Sequence, residues 1–409
     1  MLNTKKLPVT TYTKDDFAWV KWTPKDILAL PEKVLNKVKV DYEVIKKIPK
    51  AERTFENTIL ALANAGDPYG EELSYAHILG QVSTSKEVRD ASHIAAEKYS
   101  KAIVDIAYDE GLYFAVKEYI DGNAKKEKLA QDQKRLLKDT WKGYLRMGFA
   151  LPKAKRELVK KNIKERSRLS IQFDKNLNEY KDHIWVSETE TEGLSEIYLK
   201  GLIRDSKGRY KVTLEYPDSG PFLTNAKNDK KRKELVDKLA LKGGKKNLEI
   251  LTKLMKLRSE SAKLLGYKTH ADYVLEERMA KNPRTVYAFL RDLQKKATPL
   301  WRKEFKLLQN FKKEITGDEK AQYTYYDSYY SNELRKKLYS VDSQKIREYF
   351  PFEKVKKGLF EVYQTVLGVT FEKVDLPVWH SDVESYVVKD GKKIQSYFYH
   401  VCVFSHEVP

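Results

Sequence analysis

The sequence predicts a mainly α protein with two short β regions. In residues 148–179, apolar side chains recur at near-helical spacing, and the stripe is interrupted only by Arg166. Its members are Val159, Ile163, Leu169, Phe173 and Leu177. Similar stripes cover residues 85–120, 228–265 and 283–312. Pro283 follows Asn282, and this order is typical of the first residues of a helix.

Two stretches interrupt the helical pattern. Residues 184–225 alternate around turn residues and predict a hairpin or a small sheet. Residues 369–399 have strand character and contain the turn sequence Lys-Asp-Gly-Lys. We therefore expect a large multi-helix domain with short β elements near 184–225 and 369–399.

Composition limits the class of protein. The chain has 409 residues, 41% hydrophobic and 12% aromatic, which is typical of a globular protein with one large domain or two. The first residues contain no apolar h-region and the sequence has no apolar run of about 18 residues, so we expect neither a signal peptide nor a membrane span. With a single cysteine, the sequence predicts a cytoplasmic location.

The formal net charge is +19. Nucleic-acid binding draws on such charge through counterion release. Acidic residues are interleaved throughout, however, so solvated lysine-rich helix surfaces explain the charge more simply. Nucleic acid is therefore an unfavoured partner.

The histidines do not form a recognisable metal site. No two of them are three, four or five residues apart, so no helical pair could share one zinc ion. They are His77, His93, His183, His270, His380, His400 and His406. His406-Glu407 resembles the start of the motif HExxH, but the printed sequence stops before a second histidine. We predict no metal ligand and no catalytic residue here, and leave the substrate-binding residues unassigned.

Other candidate residues have simpler interpretations. Cys402 lies near His400, but an incidental thiol is favoured over a nucleophile. For His380 and Asp382 we expect local hydrogen bonds, while Trp379 and Val383 pack on the sheet. The tyrosines within 323–330 could line a channel, although packing at the edge of the core is the commoner role.

The order of several segments resembles the M3 family of zinc oligopeptidases. The segments include TFENTILALANAG (54–66), LRSESAKLLGYKTHADYVLEERMAKNPRTVYAFLRDL (257–293), YYDSYYSNEL (325–334) and VWHSDVESYVV (378–388). The resemblance runs from about residue 20 to 399 and covers the N-terminal part of the family. It implies a helical wall beside a deep channel that admits short, unfolded peptides.

In that family, the resemblance implies, a zinc ion held by two histidines and a glutamate activates water, and the glutamate of HExxH is the base. HExxH lies roughly a hundred residues beyond the VWH segment in the family, whereas His406 follows His380 closely. His406-Glu407 is therefore not the equivalent of the family motif. We expect this chain to be inactive in peptide hydrolysis on its own.

Three hypotheses remain. The favoured one is an N-terminal portion of an M3 oligopeptidase, cut short or completed by a separate C-terminal catalytic polypeptide. The others are a non-catalytic helical module that binds peptides or a partner, and a basic nucleic-acid-binding protein.

The sequence also predicts a division of the chain into parts. The expected parts are an N-terminal helical part (1–183), a small β insertion (184–225), a second helical part (226–368), the start of a β region (369–399) and a divergent tail (400–409).

Overall fold

The computed structural model describes residues 14–65, 67–324 and 327–401, and over these residues the fold is mainly α, as predicted. The α-helices are α1 (Pro24–Lys47), α2 (Ala61–Asn64), α3 (Asp67–Val82), α4 (Lys86–Ala107), α5 (Glu110–Asp121), α6 (Gln131–Arg146), α7 (Lys153–Asn178), α8 (Glu196–Lys200), α9 (Tyr216–Asn225), α10 (Asp229–Ala240), α11 (Gly244–Leu264), α12 (His270–Leu275), α13 (Pro283–Thr316), α14 (Ser328–Tyr339), α15 (Ser343–Arg347) and α16 (Phe352–Leu367). Shorter turns are 3-10 helices over Lys14–Lys21, Lys50–Glu52, Asn123–Lys125 and Glu188–Glu190, and a π-helix over Phe55–Leu60. No described helix is long and apolar enough to cross a membrane.

Local signals fix the ends of α13. The side chain of Asn282 accepts a hydrogen bond from the backbone N–H of Thr285 at 3.0 Å, and Pro283 occupies the first helical position. At the other end Gly317 has φ +66°, a left-handed conformation that glycine adopts without strain. The predicted start of this helix is confirmed.

The N-terminal and central helices pack side by side. Helix α4 lies between α1 and α7, and α7 packs in turn against α11. Leu169 on α7 and Leu254 on α11 are buried in their shared cluster. The helical stripe predicted in 148–179 therefore faces a core, as its spacing indicates.

The segment 184–225 contains the small sheet that was predicted, but also helices that were not. Strands β1 (His183–Val186) and β2 (Tyr210–Thr213) pair antiparallel. The interpretation of Tyr216–Asn225 as part of a hairpin was wrong, because these residues form α9. Pro217 lies in the first turn, where a missing N–H is tolerated, and Phe222 is fully buried, so tertiary packing outweighs the breaker signal.

The β region near 369–399 is confirmed. Strands β3 (Thr370–Val374), β4 (Val383–Asp390) and β5 (Lys393–Val401) form an antiparallel sheet in the order β3-β4-β5. Asp390 pairs with Lys393, and Gly391 between them has φ +57°, which suits a tight hairpin turn.

Candidate functional site

The pair His380 and Asp382 is held by local contacts. The backbone N–H of Asp382 donates to Nδ1 of His380 at 3.2 Å, and an Asp382 carboxylate oxygen lies 3.5 Å from the same nitrogen. Val383 is buried in β4 as expected, whereas Trp379 packs on Trp19 of the first 3-10 helix, with ring centroids 5.9 Å apart. The structure thus shows Trp19 as a packing partner of Trp379, and the packing of Trp379 on the sheet stays a prediction.

The tyrosine cluster takes part in packing. Tyr329 and Tyr330 are buried against Phe311 and Leu334, and Tyr323 lies partly buried beside them. Burial raises the pKa of the Tyr330 hydroxyl. These three tyrosines therefore stabilise the contact between α13 and α14, while residues 325 and 326 lie outside the described residues.

The part of the chain that the structure describes brings together no three His, Cys, Asp or Glu side chains that could hold a metal ion. The described residues thus offer no counterpart of the two-histidine, one-glutamate zinc site that the resemblance implies. Cys402, His406 and Glu407 lie outside the described residues, as does the side chain of His400. Their assignment as non-ligands stays a prediction.

The most unusual feature of the described surface is the exposure of α13. This helix has 34 residues and a length of about 50 Å, yet only Phe311 and Lys312 near its C-terminus are buried, counting all 34 residues. Tyr287, Leu290 and Leu293 follow each other at steps of three residues and share one side of the helix, and all are exposed. A side with this spacing normally packs against another element.

Helix α16, which lies beside the sheet, also carries exposed apolar side chains. Phe360 stacks on Phe371 of β3 with ring centroids 4.8 Å apart, so one side of α16 is covered. None of its 16 residues is fully buried, however. We call the exposed apolar side chains of the two helices the open helix faces: Tyr287, Phe289, Leu290, Leu293, Leu300, Trp301, Leu307, Ile315, Val355, Leu359, Val362, Tyr363, Val366 and Leu367.

An ion-pair cluster ties α16 to the sheet. The carboxylate of Glu384 on β4 accepts hydrogen bonds from Lys373 at 2.6 Å, Tyr386 at 2.7 Å and Lys356 of α16 at 3.0 Å. These bonds lower the pKa of Glu384 to about 2, so the group is ionised at neutral pH. The cluster fixes α16 on β4 through Lys356.

Sequence reasoning identified the helix over 283–312 but not the open helix faces. The periodic apolar side chains showed that α13 has an apolar side. Periodicity does not show whether the rest of the chain covers that side. The burial of each residue in three dimensions was needed to find it.

Comparison with known proteins relates this chain to a family of peptidases. Residues 222–401, which include the open helix faces, match the sequence model of peptidase family M3. The chain is therefore a relative of the M3 peptidases, and the resemblance drawn from its segments is confirmed at this level.

Individual relatives are similar in sequence to this chain along most of its length. It is 31% identical to saccharolysin of Saccharomyces cerevisiae over 408 residues, which cover 95% of this chain and 56% of saccharolysin. It is 32% identical to a thimet-like oligopeptidase of Dictyostelium discoideum over 375 residues, which cover 87% of this chain and 55% of that relative. It is 28% identical to oligopeptidase A of Escherichia coli over 396 residues, which cover 93% of this chain and 58% of that relative. The chain thus spans little more than half the length of these relatives.

Proposed function

We propose that this chain is the N-terminal, helical portion of an M3-type zinc oligopeptidase. In this proposal it forms one wall of a channel for short, unfolded peptides, and hydrolysis requires a further segment that carries HExxH. That segment would supply zinc and its activated water. The residues of this chain would hold the segment in place and bound the space that admits the peptide.

The open helix faces are the observation that supports this proposal most directly. Fully burying a large apolar side chain is worth about 1.5–3 kcal/mol, so a surface with 14 of them exposed is far more stable when another element covers it. The faces lie within the stretch that matches the M3 family, and the relatives are longer than this chain. A catalytic segment related to the remainder of those relatives is the occupant we propose.

Reconstitution tests the proposal. The chain is co-expressed with the part of saccharolysin that lies outside the aligned region, and cleavage of a short unstructured peptide is followed by mass spectrometry. We expect no cleavage by either polypeptide alone, and cleavage by the mixture that a zinc chelator abolishes. Zinc-dependent cleavage by this chain alone would contradict the requirement for a second segment.

A matched pair of variants tests the role of the open helix faces. Leu290→Lys places a charge on the exposed apolar side of α13 and should weaken the complex by roughly tenfold or more, because a charge then has to be buried. Ala288→Lys adds the same charge two residues away, about 160° around the helix, and should leave the complex unchanged. Equal behaviour of the two variants would show that this side of α13 is not the docking surface.

A further inference from the structure

A cavity of about 390 Å³ lies among α6, α7, α11 and α12, apart from the open helix faces. Its polar lining includes Arg146, Arg166, Arg258, Ser261 and His270. Three guanidinium groups around one small cavity are unusual, because like charges repel and each must be compensated when it is buried.

One of the three guanidinium groups is already compensated. Arg146 is hydrogen-bonded to the carboxylate of Glu276 and donates to the carbonyl oxygen of Tyr273 at 2.8 Å. Its guanidinium carbon also lies 4.0 Å from the centroid of the Tyr273 ring. The charge of Arg146 is therefore compensated by Glu276, and this arginine forms a fixed wall of the cavity.

The other two arginines have no such compensation. Among residues 14–65, 67–324 and 327–401, no carboxylate oxygen lies within 4.0 Å of the side-chain nitrogens of Arg166 or Arg258. Burial lowers the pKa of Arg166, and the positive charge of Arg258 lowers it further. Two positive charges therefore face one cavity with no carboxylate of the described residues within ion-pair distance.

Unpaired hydrogen-bonding atoms converge on the same place. Within the described residues, six buried side-chain nitrogen or oxygen atoms have no hydrogen-bond partner, and three of them belong to this cavity. They are Nε of Arg258, Oγ of Ser261 and Nδ1 of His270, and Ser261 is only 4% exposed. A buried polar atom without a partner destabilises the fold, so such a cluster is typical of a site that a ligand completes.

We propose that this cavity binds the dianionic phosphate group of a small phosphate monoester or of inorganic phosphate. A dianion matches the two uncompensated charges of Arg166 and Arg258, whose planar groups suit bidentate contact with phosphate oxygens. Ser261 can donate its hydroxyl hydrogen to the same group. The remaining wall includes Val159 and Leu265, which offer contact to an organic portion.

His270 completes the donor set without adding a third charge. Burial lowers the pKa of this imidazole, and Arg166 and Arg258 lower it further, so it is neutral at neutral pH. A neutral imidazole donates through one ring nitrogen and accepts through the other. The cavity therefore keeps the two uncompensated positive charges of Arg166 and Arg258, which a dianion compensates. Phosphate binding at this cavity does not depend on peptide hydrolysis.

The first test measures binding to the full chain. Thermal unfolding and calorimetric titration are recorded with inorganic phosphate, phenyl phosphate and sodium chloride at matched ionic strength. We expect a saturable rise of Tm with phosphate or phenyl phosphate that chloride does not produce. Tighter binding of phenyl phosphate would identify a phosphate monoester as the ligand, and equal binding would identify inorganic phosphate. A rise that is the same with chloride would overturn the proposal.

Variants then locate the binding. Arg258→Gln removes charge-assisted hydrogen bonds and should weaken phosphate binding by roughly tenfold to a hundredfold. Lys256→Gln makes the same change of charge on the exposed side of α11, about 160° away, and should bind like the parent chain. Unchanged binding by Arg258→Gln would contradict the assignment.

The stability of the ligand-free variants shows whether weaker phosphate binding is caused by misfolding. Arg258→Gln relieves repulsion with Arg166, so its Tm without ligand should equal or exceed that of the parent chain. Ser261→Ala gives a second, milder variant that removes only the unpaired hydroxyl, and it should also bind phosphate more weakly. Undiminished phosphate binding by Ser261→Ala would show that this hydroxyl does not contact the ligand and would overturn the site as described.

Discussion

The ammonium nitrogen of Lys312 lies 2.8 Å from a carboxylate oxygen of Asp327, and both side chains are buried, with exposed fractions of 7% and 0%. The same carboxylate oxygen accepts a hydrogen bond from the backbone N–H of Thr324 at 2.6 Å. This ion pair joins the C-terminal part of α13 to the start of α14. The only buried residues of α13 are Phe311 and Lys312, so the pair is a buried polar anchor of the helix.

Removing one partner of this pair should destabilise the chain strongly. Lys312→Met leaves the Asp327 carboxylate buried without its counter-charge, and we expect a loss of about 3–5 kcal/mol in the free energy of unfolding. Adding Asp327→Asn removes the uncompensated charge and should recover more than half of this loss. Urea unfolding followed by circular dichroism measures both. A loss below about 1 kcal/mol for Lys312→Met would show that the pair does not anchor α13.

Arg232 should resist even replacement by lysine. Its side chain is fully buried, donates to the carbonyl oxygens of Ala226 at 2.6 Å and Lys227 at 3.0 Å, and lies 4.6 Å from the ring centroid of Tyr329. Lysine keeps the charge but not the planar donor group, so we expect Arg232→Lys to cost about 2–4 kcal/mol in unfolding experiments.

Arg204 provides a matched control for that change. It also lies over an aromatic ring, that of Tyr210 at 4.2 Å, but its side chain is about half exposed. Arg204→Lys should therefore alter the free energy of unfolding by less than about 0.5 kcal/mol. Similar costs for the two substitutions would mean that burial of the guanidinium group does not determine the effect.

The stability of the β3-β4-β5 sheet should depend on pH through Glu384. Its pKa is about 2 in the folded chain, against an ordinary value of 4.5. The stabilisation by the ionised Glu384 carboxylate is therefore complete above pH 4.5 and is lost as the pH falls from 4.5 toward 2. Unfolding midpoints of the parent chain and Glu384→Gln should differ most near neutral pH and converge in acid. A difference that stays constant over this range would contradict the assignment.

The N-terminal end of α13 should fray without affecting global stability. Asn282→Ala removes the hydrogen bond to the Thr285 amide, a change worth about 1 kcal/mol locally. Hydrogen exchange of the first turns should become faster, while the urea midpoint stays the same, because this end of the helix buries no residue. A lower urea midpoint would show that the N-terminal end of α13 is packed in solution.

Features that depend on neighbouring residues were predicted well. The start of α13 follows from Asn282 and Pro283 alone, and the local contact between Asp382 and His380 follows from their separation by two residues. The hairpin turn at Gly391 is likewise encoded in a few residues. Such features require no knowledge of how distant elements pack.

Features that depend on tertiary packing were missed. The buried position of Phe222 makes α9 helical in spite of two prolines, and no local signal gives that burial. Arg166 was visible as a break in the apolar stripe of α7, but Arg258 becomes its neighbour only because α7 packs on α11. The open helix faces were invisible for the converse reason, since a sequence does not show which apolar side remains uncovered.

The exposure of α13 has a practical consequence for observing assembly. Trp301 lies near the middle of this helix and is 57% exposed, whereas the other five tryptophans of the chain are buried or half-buried. Its indole emission should therefore be the red-most in the chain and the most accessible to a collisional quencher. Any polypeptide that covers α13 should shift that emission to shorter wavelength, so the chain carries its own optical reporter of docking.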